Sequence, residues 1–290
     1  MTNHRCTLLP DRGIVSVGGA DARAFLQGLI SNDIASLGPD RPLYAALLTP
    51  QGKYLFDFIL HDRGGTILLD CERSRAAALV QRLTLYRLRA AVSLEDVSNG
   101  HAVLAVFDRG PVPAESIADP AVAVDPRLPA LGLRVVLPCE RVAGFIAEHG
   151  LREVDRGEYD RLRLTLGVPD GTRDLVVDRS LLLESGFEEL HGVSFTKGCF
   201  VGQELTARTK HRGLIKRRLL PVRVDGPLPA PGTPVTRGGK DAGEVRSGDG
   251  HLALALLRLE ALAMTDEPLL AGEAVLTPAP PPWLPLTALA

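Results

Sequence analysis

A chain of 290 residues with 45% hydrophobic and 23% charged side chains can bury ordinary cores and is long enough for about two domains. Its 33 basic and 35 acidic residues leave a formal charge of -2, which excludes a global field drawing the protein to nucleic acid or membrane. No run approaches the roughly 18 apolar residues of a membrane span, and Met1-Thr2-Asn3-His4-Arg5-Cys6 lacks the apolar core of a signal peptide. No membrane partner is expected, and a cytoplasmic location is.

In chain order, residues 14–17 read as a short strand, and Asp21 then caps a helix whose positions Ala22, Phe25, Leu26, Leu29 and Ile30 share one face. Asn32 and Asp33 stop it. Residues 43–48 and 54–60 read as a hairpin around Pro50-Gln51-Gly52-Lys53. Alternation puts Leu55, Asp57 and Ile59 on one face of its second strand and Tyr54, Phe56 and Phe58 on the other. An acid on an apolar face has two readings, a carboxylate paired or solvated in a cleft, or one left at a wet edge by strand curvature. A strand at 66–70, a helix at 72–86 with Ala76, Leu79, Val80 and Leu83 inward, and strands at 91–94 and 102–107 give the rhythm of a ferredoxin-like α+β unit.

Residues 109–129 are rich in Pro, Ala and Asp without periodicity and read as a loop or linker of low functional interest. A strand at 133–137, a helix at 140–148 and a helix at 158–166 closed by Gly167 and Pro169 follow. From Ile215 onward, short strands at 219–224, 233–236, 243–247, 252–257 and 274–276 alternate with Gly and Pro and indicate a small β-barrel or sandwich. The Pro-rich stretch 278–285 is expected to be extended or disordered.

The stretch with the densest chemistry is Lys197-Gly198-Cys199-Phe200-Val201-Gly202-Gln203-Glu204. It follows the apolar Gly192-Val193-Ser194-Phe195 and runs into Leu205-Thr206-Ala207-Arg208, which reads as strand, tight turn and helix start. Glycines beside a cysteine allow positive φ or close approach, and a thiol at a helix N-terminus near Lys197 has its thiolate favoured. The competing reading is a small buried cysteine. Cys6, Cys71, Cys139 and Cys199 form no C-x-x-C pair or zinc-finger spacing, so no metal is inferred. Behind the motif lie Arg208, Lys210, His211, Arg212, Lys216, Arg217, Arg218 and Arg223 with no acid among them. That run reads first as a solvated face and second as an anion site; without interleaved aromatics, direct nucleic-acid binding is not expected.

The Lys-Gly-Cys-aromatic-x-Gly-Gln-Glu motif resembles the signature of the YgfZ-type folate-binding proteins, which are similar in fold to the glycine-cleavage T protein, an aminomethyltransferase. The longer match 195–209, together with Gln51-Gly52-Lys53-Tyr54-Leu55-Phe56-Asp57 and Gly167-Val168-Pro169-Asp170-Gly171-Thr172-Arg173-Asp174-Leu175, is most similar to the branch that includes the mitochondrial iron–sulfur assembly factor. The resemblance implies an α+β, aminomethyltransferase-like fold with ferredoxin-like units around a central cleft plus a small C-terminal β-barrel. Its divisions would be a folate-binding-like region 1–214, whose second interleaved subdomain spans about 45–140, a barrel at 215–277 and a tail at 278–290.

Carried over by resemblance, Cys199 and Asp57 are the catalytic candidates, and Lys197, Gly198, Gly202, Gln203, Glu204, Arg208, Arg217 and Thr165 the ligand-binding ones. The implied cofactor is tetrahydrofolate, with two departures. Relatives place a pterin-gripping Glu where this chain has Thr165, which offers no bidentate acceptor. They also show two adjacent acids where Phe56 precedes Asp57. The implied function is an iron–sulfur cluster assembly or maintenance factor on a tetrahydrofolate-binding scaffold, not a conventional enzyme, acting through a thiol on 4Fe–4S clients, with client or assembly proteins and reduced folate as partners. The alternative is a folate-dependent aminomethyl or one-carbon transferase, which needs a carboxylate at the folate nitrogen. A third reading is an RNA-contacting protein that uses the basic run, against which the missing aromatics count; the relatives are linked to tRNA modification only through their client enzymes.

Overall fold

Period-two alternation builds the first part of the structure, a computed structural model that describes residues 4–213, 215–264 and 266–284. The chain divides into two compact units. One comprises the residues up to Pro50, Leu55–Tyr159 and Leu190–Gln203; the other comprises Gln51–Tyr54, Asp160–Glu189 and the chain from Glu204 onward.

The first unit runs β1 (Arg5–Leu8), β2 (Arg12–Gly18), α1 (Ala22–Gln27), β3 (Leu43–Leu48), β4 (Tyr54–Arg63), β5 (Thr66–Glu72), α2 (Ala76–Arg87), β6 (Ser93–Asp96), β7 (His101–Phe107), β8 (Val122–Val124), β9 (Leu133–Pro138), α3 (Val142–Glu148), β10 (Arg152–Glu153) and the start of α4 (Arg156–Thr165). One sheet has the order β3-β4-β5-β2-β6 and the other β10-β1-β7-β9-β8. Phe56, Phe58 and Leu60 of β4 pack with Val15 and Val17 of β2 and with Leu79 and Leu83 of α2 in one core. Leu104 and Val106 of β7 pack with Leu133, Val135 and Leu137 of β9 and Phe145 of α3 in another.

Four elements of the fold differ from the expectation. Asp21 gives α1 no side-chain cap; its carboxylate accepts the Ala91 amide instead. Residues 109–129 are not a bare linker, since β8 pairs with β9 and Val112, Ile117 and Ala121 are buried. Residues 192–195 form no strand. Finally, the proline-rich stretch turns back on its own unit as far as Leu284: the Trp283 indole donates to the Leu166 carbonyl at 2.6 Å, and Trp283 and Leu284 pack on the barrel core. The rest of that stretch and of the tail, 285–290, lies outside the described residues.

The second unit contains α5 (Gln203–His211) from Glu204 on and a closed barrel of β11 (Arg217–Asp225), β12 (Pro234–Arg237), β13 (Lys240–Asp249), β14 (Leu252–Arg258), β15 (Leu269–Ala271) and β16 (Ala274–Pro278), with α6 (Leu259–Ala263) between β14 and β15. Alternation sorts the faces. Leu220, Val222 and Val224 meet Ala253, Ala255 and Leu257 inside, where small residues suit a narrow barrel. Leu219, Leu254 and Leu256 point outward onto Leu164 of α4. The mixed α+β class and the barrel agree with the expectation from sequence.

Candidate functional site

The signature residues form an irregular loop ahead of α5, and the hydrogen bonds that fix that loop each involve a backbone atom. The Lys197 ammonium donates to the carbonyl oxygens of Ile30 and Asn32 at 2.6 and 2.7 Å. Burial pulls its pKa down from 10.5 to about 8, against the opposing pull of Asp33. Gln27, the last residue of α1, donates to the Lys197 carbonyl at 3.3 Å and to Asp33 at 3.0 Å, and accepts the Ile34 amide. The Val201 amide donates to the Gly28 carbonyl at 3.2 Å, and its side chain packs against the first core. Gln203 accepts the Phe200 amide on its side chain while its own amide donates to the Phe200 carbonyl, both at 3.2 Å, a reciprocal tie at the start of the helix. Upstream, Ser31 donates to the Gly192 carbonyl at 2.6 Å, and Asn32 to that of His191 at 2.7 Å.

Gly198 and Gly202 have φ of 89° and 82°. A Cβ on Gly198 would meet nothing within 4 Å, so glycine is needed there for the backbone angle and not for room. Between these glycines Cys199 is exposed. The buried-cysteine reading is thereby overturned. The expected helix-terminal thiol with a lysine at its side is corrected too, because α5 begins only at Gln203 and the Lys197 ammonium is turned onto carbonyls.

Asp57 lies on β4 with 6% exposure, and the Tyr44 hydroxyl donates to it at 3.1 Å. The wet-edge reading is therefore wrong and the paired one right. Burial, with Asp57 beside it, pushes the Tyr44 hydroxyl well above 10, so it stays a donor. Beside it a buried pair that sequence reasoning missed, Arg127 with Asp125, comes from the segment read as linker. Arg127 donates twice to Asp125, at 2.9 and 2.7 Å, and lies 5.7 Å from the Tyr44 ring centre. Deeper, Asp70 of β5 accepts from Arg12 of β2 and Arg134 of β9, each at 2.7 Å, which joins the two sheets of this unit.

In the second unit Thr165 is exposed and its hydroxyl donates to the Arg161 carbonyl at 2.7 Å. Arg217 forks onto the buried Glu184 at 3.3 and 3.0 Å. Glu204 pairs with Arg208 one helical turn on, Lys210 with Glu188, and Arg218 with Glu189. Four members of the basic run, Arg208, Lys210, Arg217 and Arg218, are thus supplied with carboxylates by Glu204, Glu188, Glu184 and Glu189, a pairing invisible in a run that contains no acid itself. The Gly167–Leu175 motif is also turned inward. Arg163 of α4, 3% exposed, donates to Asp174 and to Ser247 of β13, both at 2.8 Å, while Asp174 accepts the Ser247 hydroxyl at 2.6 Å and the Asp170 amide at 2.8 Å.

The structure therefore brings Lys197, Gly198, Cys199 and Gly202 together in one loop that ends on Gln203, the first residue of α5. Sequence reasoning missed the receiving side, Gln27, Gly28, Ile30, Ser31 and Asn32. The available signal was the polar cluster Gln27, Ser31, Asn32 and Asp33 directly behind an apolar stripe.

Comparison with known proteins gives the same fold and adds a family. Residues 216–286 match the CAF17 C-terminal beta-barrel domain. The chain superposes on the glycine cleavage system aminomethyltransferase T from Bartonella henselae with a TM-score of 0.75 over 97% of this chain and 86% of that one, at 16% identity, a likeness of fold alone. In sequence it is 37% identical to the mitochondrial iron–sulfur cluster assembly factor IBA57 of Mus musculus, covering 89% of this chain and 78% of that protein. To the human protein of the same name it is 39% identical, covering 87% and 77%. These relatives are mitochondrial by name, which corrects the cytoplasmic expectation; net charge and hydropathy carry no such address. The chain belongs to the IBA57 family of iron–sulfur cluster assembly factors.

Proposed function

We propose that this chain assembles or maintains iron–sulfur clusters, as its relatives are named for, and that Cys199 is the group it presents to that cargo. One observation carries the reading. In the signature loop Lys197, Val201 and Gln203 bond or pack onto the protein itself and the glycines supply backbone angles, while the sulfur faces out with no hydrogen-bond partner among the described residues.

A thiolate is a soft ligand suited to iron–sulfur clusters. One sulfur fills one coordination position, and among the described residues no group of three or more His, Cys, Asp or Glu side chains is arranged to hold a metal ion. The other ligands then come from a partner, a client or assembly protein, and the role is transient handover to 4Fe–4S clients. In cells deprived of the chain, the activity of a 4Fe–4S client enzyme should fall and return with the wild-type chain. Undiminished client activity in its absence would sink the reading.

Tetrahydrofolate is left out of this handover. Thr165 has no carboxylate pair and its hydroxyl donates to the Arg161 carbonyl, while the Arg217 fork is engaged by Glu184, so neither supplies the bidentate acceptor or the free cation that a folate site would ask of it. These residues do not fit the ligand, and no step is derived through it.

A further inference from the structure

Helix α2 turns Ala76, Leu79 and Leu83 into the core, and its other side runs into solvent through Thr84, Leu85 and Arg87. Just past its end Leu88 holds φ 43° and ψ -107°. Positive φ is strained backbone for a residue with a Cβ. The strain does not bury the side chain: Leu88 is 90% exposed and Leu85, one turn back, 67%, the two most exposed large hydrophobics among the described residues. Hydrogen bonds from the Ala90 amide to Arg87 and from the Val92 amide to Ala90 close the turn and keep the leucine projecting.

Along the chain the charge around it has one sign, and the carboxylate that reaches this turn, Asp21, is held by the Ala91 amide. From Arg73 to Leu94 the chain carries five arginines, no lysine and no acid. Arg73 and Arg75 are turned onto the Ser98 and Leu55 carbonyls. Arg82 lies 5.7 Å from the Tyr86 ring centre with no carboxylate. Arg87 and Arg89, immediately flanking Leu88, are exposed and have no partner among the described residues. Elsewhere in this protein exposed arginines such as Arg141, Arg161, Arg173 and Arg258 find carboxylates.

We propose that the turn Arg87-Leu88-Arg89, with Leu85 and Arg82, is a docking surface for a protein partner that offers an acidic rim around a small apolar recess. Leu88 is the anchor, and the two guanidinium forks take carboxylates on either side. Arginine is enriched and lysine depleted in protein interfaces. A lipid surface is served poorly, because the apolar stripe of α2 is buried in the core and two leucines leave little to insert. The proposal uses none of the signature-loop residues and stands whether or not the Cys199 sulfur carries cargo.

The test places the photo-crosslinking residue p-benzoyl-phenylalanine at position 88 of the full chain in cells, with the same residue at Leu228 of the barrel unit as control. The captured protein is purified and its affinity for the full chain measured against salt for wild type, Leu88→Ser and Arg87→Glu/Arg89→Glu. Wild-type chain is also floated with phosphatidylglycerol vesicles. The expected result is an adduct specific to position 88 on an Asp/Glu-rich segment, with affinity that falls with salt and drops about tenfold or more on charge reversal. Thermal unfolding checks the variants, and Arg87→Gln/Arg89→Gln replaces the reversal should it unfold. No adduct above the Leu228 control, adducts to lipid with vesicle flotation, or an affinity indifferent to the arginine changes would each overturn the proposal.

Discussion

The Lys197 ammonium donates to the Asn32 carbonyl at 2.7 Å, and with its second bond to Ile30 it holds the signature loop against the exit of α1. The lysine next but one to the sulfur is therefore a fastener for backbone. How Cys199 is presented depends on that clasp.

Lys197→Met leaves two carbonyls without their donor. Each orphaned, partly buried acceptor costs about 1 kcal/mol or more. The loop should loosen while the core stays folded. Amide exchange at Val201 and Gln203 should accelerate strongly, with thermal unfolding lowered only modestly. Exchange unchanged from wild type would mean that the clasp does not hold the loop.

Thr165 and Arg217 are engaged within their own unit. Calorimetric titration with a reduced folate should give no saturating heat, and Arg217→Ala should change nothing in that titration. A saturating isotherm weakened by Arg217→Ala would restore folate to the mechanism.

Much of this fold could be read from local pattern because the relevant partners are close in sequence. The alternation of β4, the Ala76-Leu79-Leu83 stripe of α2 and the spaced barrel strands each state which face is buried. Residues 109–129 could not be read in that way: β8 has three residues and exists only by pairing with β9. The site was half legible. Gly198 and Gly202 announced the bend, but the Lys197 partners lie across the fold, and nothing local distinguishes a lysine bound to distant carbonyls from one that activates a nearby thiol. Likewise the basic run looked bare because Glu184, Glu188 and Glu189 precede it across the signature loop.

Arg163 and Asp174 form a buried pair that ties α4 to β13. Removing one partner of such a pair strands the other charge and costs about 3–5 kcal/mol. Asp174→Ala should therefore lower the urea stability of the second unit by that order. Arg163→Met/Asp174→Ala should cost less than the sum of the single changes. A loss under about 1 kcal/mol for Asp174→Ala would show that the pair is already solvated.

His61 of β4 is 2% exposed with no partner for Nε2 among the described residues, and burial pulls its pKa from 6.5 down to about 4. Below pH 6.5 the unfolded chain takes up a proton that the folded chain refuses until about pH 4, so stability falls as pH falls through this window. The loss from this one group approaches about 3 kcal/mol at the lower end. Burial would raise the Asp70 carboxyl, but Arg12 and Arg134 outweigh it and hold it far below its ordinary 3.8, so its contribution persists through the same window. Denaturant midpoints at pH 6.5 and 4.5 should differ more for wild type than for His61→Gln. Equal differences would remove His61 as the cause.

Cys199 is the side chain on which the functional reading turns, and Cys139, also exposed, is its natural control. The decisive measurement is the activity of a 4Fe–4S client enzyme in cells whose own copy of the factor is replaced by Cys199→Ala or by Cys139→Ala. The expected result is client activity lost with Cys199→Ala and kept with Cys139→Ala, both proteins showing wild-type thermal unfolding. Full client activity with a folded Cys199→Ala protein would contradict it.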